Sequence, residues 1–455
     1  MTFIKSNDIK KIIFILSPLL VYIIINFEFM YVKLVGPSII TLLIFVLNKP
    51  KFLLSPLNVF FAFYGLYYIL PSSIYVIYEI YEIRYVLPWG KLYSWTEIDS
   101  DVIFGAFLLF YLPFLIYYVN NHYFFNKSFF YNSPNFNYII SVKLIYIVFI
   151  LLLLLMLLFI QLTGGLSSWI YDYQTTYLLN RQGYGALNFL IINIGNLFVF
   201  ICGLYIYNQR IKKWSVNKYF VLLIVFFVIL LMSYLHGIKS RFIFLMLILF
   251  SFWLIHLKLN YRRLFSYTFA FFGIIIVGNY FRSDGYYSEF SLITEYMMSY
   301  FNVYPLHNLI INDYDIGLGE SLFNFLYKPL SYFDLYLENN FHDLSVMLTI
   351  QYFPEQWYDL RATQQWPLLT DLYFTYYGFL FGIVPIVIYV SLISFLFKKS
   401  LSGKYEYLII FIPELLRVFT TLRSVFIPWD LPVILFFYFI NFYFIRSLRI
   451  EKFNS

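Results

Sequence analysis

The chain has 455 residues, of which 62% are hydrophobic, 24% are aromatic and only 12% are charged, and its formal net charge is +7. These few polar residues could not cover the surface of a soluble globule of this length. The composition therefore excludes a soluble domain and indicates a polytopic membrane protein. The one cysteine, Cys202, lies inside an apolar run. Neither a disulfide framework nor a thiolate metal site is therefore expected.

Apolar stretches of about 17–25 residues are typical of transmembrane helices. Twelve such stretches predict an all-α polytopic protein that forms a single integral membrane domain over residues 1–455. No small-residue cleavage site follows the first stretch, which is therefore predicted to be a retained span and not a signal peptide. The predicted spans are about 12–27, 34–48, 52–78, 102–119, 139–162, 187–207, 219–235, 242–257, 264–281, 366–397, 406–422 and 431–446.

The positions of lysine and arginine predict the orientation, because the cytoplasmic segments of membrane proteins carry an excess of both. With the N-terminus in the cytoplasm, counting along the sequence puts 20 of the 31 basic residues and 3 of the 24 acidic residues on the inner side. The inner face then carries a charge of +17, the outer face carries −10, and both termini are cytoplasmic. The basic net charge is thus a topology signal, and no nucleic acid is expected as a partner.

The predicted outer segments differ greatly in length. Residues 163–186 form one long loop, and residues 282–365 form a second loop of 84 residues between spans nine and ten. Connections of that length are usually functional or disordered. Because residues 288–310 and 319–341 are rich in phenylalanine, tyrosine and leucine, we expect the larger loop to fold and to bury apolar surface against the bundle or the membrane interface.

Basic residues on the outer side are not explained by topology and need another reason. A guanidinium near the hydrocarbon boundary is costly unless it is paired, and it binds phosphate with two hydrogen bonds. Each of these residues could instead anchor a helix end, and Glu414 lies three residues before Arg417, where the two could form an ion pair. Arg241 and Arg282 are predicted to flank spans eight and nine at the same depth. The candidates for binding an anionic headgroup are Lys239, Arg241, Arg282, Arg417 and Arg423.

Histidines and acidic residues of the outer loops are further candidates. His236, His307 and His342 fall on the outer side, where a lone histidine is most often structural. An acid of the long loop could act as a general base if burial raises its pKa, although most such acids form a solvated face. No histidine or cysteine spacing typical of a metal site and no glycine-rich phosphate loop is present. No metal, nucleotide or other cofactor is therefore expected.

Short motifs accompany this topology. They are the turn Gly237-Ile-Lys-Ser-Arg241 into span eight, the segment Asn279-Tyr-Phe-Arg282-Ser-Asp-Gly285 at the end of span nine, the entry to span ten at Leu368–Gly378, and the arginines from Arg417 to Arg423. Together with a twelve-span bundle whose largest outer loop joins spans nine and ten, they resemble the bacterial O-antigen polymerases and the related O-antigen ligases.

The resemblance implies an enzyme of the bacterial inner membrane that joins undecaprenyl-pyrophosphate-linked oligosaccharide repeat units on the periplasmic face. The lipid pyrophosphate would leave, without help from a metal or a nucleotide. Membrane lipids and a chain-length regulator would be further partners. Arg241 and Arg282 match the arginines that would hold the pyrophosphate, with Lys239, Arg417 and Arg423 beside them.

The same resemblance suggests roles for other residues. The attacking sugar hydroxyl would lose its proton to Asp284, Glu289 or His307. Arg181 and Arg361 would contact the glycan, although the arginine-to-glycine spacing of the family's loop motifs is not recognisable around either residue.

Other functions stay open at this stage. An O-antigen ligase would share the fold and would place an essential histidine in the large loop, where His307 and His342 lie. A lipid-linked oligosaccharide flippase would have about twelve spans, but short outer loops and charges inside the bundle. A membrane protein whose outer segments only bind a partner is a further alternative.

Overall fold

A computed structural model describes residues 6–81, 98–121, 137–180, 183–209, 216–236, 239–260, 344–359, 366–418, 425–428 and 430–450, together with Ser266, Tyr304, His307, Asn308 and Leu422. Within these residues the chain is helical, apart from one antiparallel pair of two-residue strands.

The first part of the chain forms six helices and one of the short strands. A π-helical turn, Gly65–Ile69, joins α3 to α4 without a break. The elements are α1 (Ser6–Ile25), α2 (Met30–Asn48), α3 (Pro56–Tyr64), α4 (Leu70–Ile80), α5 (Ser100–Val119), β1 (Asn137–Tyr138) and α6 (Val142–Leu162).

The second part contains long helices separated by shorter ones. A π-helical turn, Thr176–Asn180, follows α8 directly. The elements are α7 (Gly165–Tyr171), α8 (Tyr173–Thr175), α9 (Gly185–Asn208), α10 (Val216–Leu235), α11 (Lys239–Leu254), α12 (Leu344–Tyr352), α13 (Pro354–Tyr358), α14 (Leu368–Tyr376), α15 (Phe379–Leu401), α16 (Leu408–Val418), α17 (Leu431–Ser447) and β2 (Arg449–Ile450).

Seven helices of the described part are long and apolar enough to cross a membrane, and shorter apolar helices lie at Arg241–Leu254 and Leu431–Ser447. Large apolar side chains remain exposed along them, among them Leu154 and Leu157 on α6. Such outward-facing apolar rows suit a lipid environment. The seven helices are Met30–Asn48, Pro56–Tyr78, Ser100–Val119, Val142–Leu162, Gly185–Asn208, Asn217–Leu235 and Phe379–Leu401.

The predicted tenth span, 366–397, is wrong as a single helix. Tyr377 and Gly378 both have positive φ, at 53° and 69°, and they separate α14 from α15. The backbone N–H of Gly378 donates to the carbonyl of Leu372 at 2.8 Å, which satisfies a carbonyl that the ended helix leaves open. The predicted ninth span, 264–281, falls outside the described residues except for Ser266.

Segments predicted as outer loops pack against the bundle where they are described. In the loop 163–186, the Trp169 indole donates to Thr163 Oγ1 at 2.8 Å, and the Tyr234 hydroxyl of α10 donates to the Trp169 carbonyl. In the loop 282–365, α12 buries Leu344 and Leu348 against Trp366 and Phe374. The described parts of both segments are thus helical and partly buried, whereas residues 288–310 and 319–341, for which folding was predicted, lie outside the described residues except for Tyr304, His307 and Asn308.

A buried polar network ties together one end of the bundle, which we call the Glu406 end. Glu406 is 1% exposed, accepts a hydrogen bond from the Tyr138 hydroxyl at 2.5 Å and forms an ion pair with Arg449. The Tyr138 hydroxyl in turn accepts from the backbone N–H of Tyr405 at 2.8 Å, while Asn208 donates to the Tyr138 carbonyl at 2.8 Å. Burial, and then the nearby Glu406 carboxylate, raise the pKa of Tyr138, so the hydroxyl remains a donor.

Helices α9 and α11 approach each other closely at Gly203. A Cβ atom at this position would lie 2.5 Å from the carbonyl oxygen of Leu249 and 3.0 Å from the ring of Phe252. A backbone atom cannot move aside as a side chain can, so only glycine allows this contact.

We expect Gly203→Ala to lower the unfolding temperature of the purified protein by several degrees, since overpacking of this kind costs about 1–3 kcal/mol. Unfolding can be followed with a thiol-reactive fluorophore, because Cys202 is the one cysteine and is buried. Gly185→Ala is the matched control, since a Cβ there meets no atom within 4 Å. Equal unfolding temperatures for the two variants would contradict the close approach.

Candidate functional site

A cavity of about 370 Å3 opens at the end of the bundle opposite the Glu406 end, which we call the His307 end. The two ends are about 34 Å apart, given the 23 residues of α15 at about 1.5 Å per residue. The cavity lies between the start of α5 and the turn that joins α14 to α15. The lining residues with polar groups or aromatic rings are Asp99, Asp101, Phe104, His307, Tyr373 and Phe379.

His307 is the buried polar side chain of this cavity, at 3% exposure. Its Nδ1 lies 3.0 Å from Thr370 Oγ1, and its ring meets the ring of Tyr373 edge to face with centroids 5.8 Å apart. Burial lowers the pKa of His307 to about 3, so the imidazole is neutral at physiological pH. Neutral imidazole can accept a proton, but so low a pKa makes it a weak base in the described geometry.

Tyr304, His307 and Asn308 of the predicted large outer loop contact the bundle beside this cavity. Asn308 accepts a hydrogen bond from the backbone N–H of Asp99 at 3.0 Å, which fixes the loop to the start of α5. Tyr304 is buried and meets Tyr68 of the π-helical turn edge to face, with centroids 5.5 Å apart. The position of His307 is therefore set by contacts on both sides of it.

A second polar group lies behind α14, on the side away from the cavity. Asp371 is buried, accepts from Thr375 Oγ1 at 2.8 Å and accepts from the backbone N–H of Phe426 at 3.0 Å. Thr370, the partner of His307, precedes Asp371 in the chain. Helix α14 is thus the wall between the cavity and a buried carboxylate.

The guanidinium of Arg417 is engaged in an ion pair within α16. It donates to Glu414 Oε2 from Nη2 at 3.0 Å and from Nε at 3.2 Å, and it also reaches the carbonyl of Phe426 at 3.2 Å. Glu414 is buried, and its other oxygen accepts from the Tyr438 hydroxyl at 2.8 Å. The three-residue spacing of Glu414 and Arg417 predicted this ion pair. The hydrogen bonds of Arg417 occupy most donors of its guanidinium, which leaves few of them to bind a ligand.

Arg241 has no such counter-charge among the described residues. Its Nη2 donates to Asn196 Oδ1 at 2.8 Å and to the carbonyl of Ile192 at 3.3 Å, and the guanidinium lies over the ring of Phe244 at 5.0 Å. No carboxylate of the described chain pairs with it, and its Nε is buried without a hydrogen-bond partner there. Because Asn196 is the twelfth of the 24 residues of α9, Arg241 lies deeper in the bundle than the boundary position predicted for it.

The structure describes the contacts of three predicted site residues, and each has a different set of neighbours. His307 lines the cavity, Arg241 lies at the start of α11, and Arg417 is paired with Glu414. Lys239 is the first residue of α11. The predicted site residues that lie outside the described part of the chain are Arg181, Arg282, Asp284, Glu289, Arg361 and Arg423.

Three acids of this end, Asp99, Asp101 and Asp371, were not among the residues predicted from the sequence. Asp371 lies within a predicted span, and an acid inside an apolar stretch is a signal of a buried functional or structural charge. Asp99 and Asp101 stand two apart at the start of α5, a spacing visible in the sequence. Among the described residues, no group of three histidine, cysteine, aspartate or glutamate side chains could hold a metal ion.

Comparison with known protein families, with characterised proteins and with solved structures finds no match to this chain.

We expect Glu414→Gln to destabilise the protein, because it leaves the Arg417 charge without its partner. Breaking a buried ion pair costs about 3–5 kcal/mol, and we expect the lower end because the Arg417 side chain is 21% exposed. The double variant Glu414→Gln/Arg417→Gln should recover part of the loss in thermal unfolding. Glu355→Gln, at an exposed acid, is the control. Additive effects of the two substitutions would contradict the pairing.

The pKa of His307 predicts a pH-dependent stability. The unfolded chain binds a proton below about pH 6.5, whereas the folded chain does so only near pH 3, so the contribution to stability is complete above pH 6.5 and falls as the pH drops toward 3. The slope is at most about 1.4 kcal/mol per pH unit. We expect the fall in unfolding temperature from pH 7.5 to pH 5, followed by tryptophan fluorescence, to be smaller in His307→Gln than in the wild type and in the exposed-site control His256→Gln.

Proposed function

We propose that the protein polymerises undecaprenyl-pyrophosphate-linked oligosaccharide repeat units into a surface polysaccharide such as O-antigen. It would do so at the periplasmic face of the bacterial inner membrane, with twelve spans, both termini in the cytoplasm and the loop 282–365 on the periplasmic side. The His307 end would then face the periplasm. The observation that carries the proposal is that Arg241 meets no carboxylate in the part of the chain that the structure describes.

The position of Arg241 inside the bundle supports the proposal, because burying its charge there costs free energy. An ionised side chain inside a membrane bundle is expensive, so it is normally paired or used for function. Its described contacts are a neutral amide, a carbonyl and an aromatic ring, and none of them cancels its charge. A lipid pyrophosphate would supply the missing anion, and the free Nε would supply a further donor.

In the proposed reaction, a sugar hydroxyl oxygen of one repeat unit bonds to the anomeric carbon of another. The bond from that carbon to the pyrophosphate oxygen breaks, and the lipid pyrophosphate leaves with the electron pair. Arg241 would stabilise the negative charge that develops on the leaving group. The hydroxyl proton goes to a general base, for which Asp284, Glu289 and His307 remain the predicted candidates.

The cavity at the His307 end suits the sugar that carries this hydroxyl. The carboxylates of Asp99 and Asp101 can accept hydrogen bonds from sugar hydroxyls, and the rings of Phe104, Tyr373 and Phe379 offer apolar faces for a sugar ring. No cofactor is needed for this transfer. A chain-length regulator stays a predicted partner.

Two alternatives are each favoured by one observation. Arg241, Asp371 and Glu414 place charges inside the bundle, which is the feature expected of a lipid-linked oligosaccharide flippase. His307 sits in a cavity and belongs to the predicted large loop, where the resembling ligases carry an essential histidine.

We expect Arg241→Ala to abolish long polysaccharide, and Arg241→Lys to retain part of it, when each replaces the wild-type gene in its own host. Surface glycolipid separated by size gives the readout, and immunoblotting checks that each protein reaches the membrane. Arg446→Ala is the matched control, since this arginine is exposed near the Glu406 end. Normal chain lengths in Arg241→Ala would contradict the role of Arg241.

Deletion of the gene separates the three functions. A single repeat unit on the lipid core is expected, because export and ligation continue while polymerisation stops. Bare core with lipid-linked polymer outside would instead indicate a ligase. Bare core with single lipid-linked units retained on the cytoplasmic side would indicate a flippase.

A further inference from the structure

A second cavity, of about 230 Å3, lies at the Glu406 end, where the linker between α2 and α3 meets the last turns of α5 and α15. A water molecule occupies about 30 Å3, so a group the size of a phosphodiester fits inside. The polar residues of its lining are Asn48, Lys51, Ser55, Tyr117 and Asn121. Nothing in the proposed glycan chemistry uses this cavity, because that chemistry belongs to the His307 end.

The polar groups of this cavity are held in place by the surrounding backbone. The hydroxyls of Ser55 and Tyr117 share a hydrogen bond of 2.9 Å. The carbonyl of Lys51 accepts from the backbone N–H of Leu259 at 2.8 Å, so the linker is fixed to the segment that follows α11. The Lys51 ammonium lies 5.9 Å from the centre of the Phe52 ring, which is part of the cavity wall.

The charge at the cavity is positive. No carboxylate is among the described residues that line it. Lys258 pairs through its backbone with Phe52, and Lys398 follows Phe397 in the chain, so the backbones of two further lysines lie next to lining residues. The acid Glu406 at this end is already bound by Arg449. An anion is therefore the complementary ligand.

Apolar surface adjoins these polar groups. The rings of Phe52, Phe114 and Phe397 and the side chain of Leu57 form the apolar part of the cavity wall. A free anion would gain nothing from this surface, whereas a phospholipid carries a phosphate and acyl chains in one molecule. Basic pockets between membrane helices bind such headgroups.

We propose that this cavity binds an anionic phospholipid, whose phosphate contacts Lys51 and whose acyl chain contacts the apolar wall formed by Leu57, Phe114 and Phe397. The hydroxyl of Tyr117 and the amide of Asn121 are the further hydrogen-bonding groups of the site. The lipid would join the α2–α3 linker to α5 and α15, and would stabilise their packing.

The test uses delipidated full-length protein in a neutral detergent, with unfolding followed through Cys202. Short-chain phosphatidylglycerol should raise the unfolding temperature by several degrees, because a ligand that binds only the folded state stabilises it. Lys51→Gln should lose at least half of this rise, and Lys51→Glu should lose all of it. Lys143→Gln, at an exposed lysine near the start of α6, should keep the full rise.

Other ligands and variants distinguish the alternatives. Short-chain phosphatidylcholine at the same concentration should give little rise, and an equal rise would overturn the selectivity for anionic lipid. Inorganic phosphate alone should give no rise, and a full rise would assign the cavity to free phosphate and overturn the lipid. An equal rise in Lys51→Glu and Lys143→Gln would show general surface attraction and overturn the site.

Discussion

The buried carboxylate of Glu406 is the interaction on which one end of the bundle depends. An ionised group at 1% exposure is stable only if its oxygens are satisfied, and Tyr138 and Arg449 satisfy them. Those partners come from β1 and β2, which pair with each other, so one carboxylate joins segments more than 300 residues apart in the chain. Asn208 and Tyr405 extend the same network to α9 and to the turn before α16. The network therefore ties β1, β2, α9 and the turn before α16 together at this end.

At the opposite end, the buried polar side chains border the larger of the two cavities described above. His307 and Thr370 border a cavity, while Asp371 on the next position of α14 faces the buried segment that contains Phe426. The positive φ of Gly378 ends α14 and lets the chain turn into α15 beside the cavity. An uninterrupted helix could not make this turn. The described contacts of Arg241 include no carboxylate, and the proposed anionic substrate would supply the missing negative charge.

The two arginines with described side chains at this end, Arg241 and Arg417, show why position along the chain does not define a role. Both follow apolar stretches or begin them, and both have a guanidinium able to bind phosphate. Arg417 has Glu414 one turn away and is neutralised by it, whereas Arg241 meets the amide of Asn196. The two arginines differ because the preceding turn of α16 supplies a carboxylate to Arg417, whereas α9 supplies a neutral amide to Arg241.

The membrane class, the helical architecture and most helix positions could be predicted from the sequence, because long runs of apolar residues are stable in lipid only as helices. The spans predicted at 102–119 and 187–207 match α5 and α9 closely. The sequence also contains local signals of the helix break and of the buried carboxylate, namely Gly378 after two tyrosines and the acid Asp371 inside a predicted span.

Which side chains from distant parts of the chain contact each other could not be predicted from the sequence and is known from the tertiary structure alone. The contacts His307–Thr370, Arg241–Asn196 and Glu406–Arg449 join residues 63, 45 and 43 positions apart. Such pairs depend on how helices pack, and apolar periodicity contains no information about a partner on another helix. The break between α14 and α15, the depth of Arg241 and the two cavities follow from that packing.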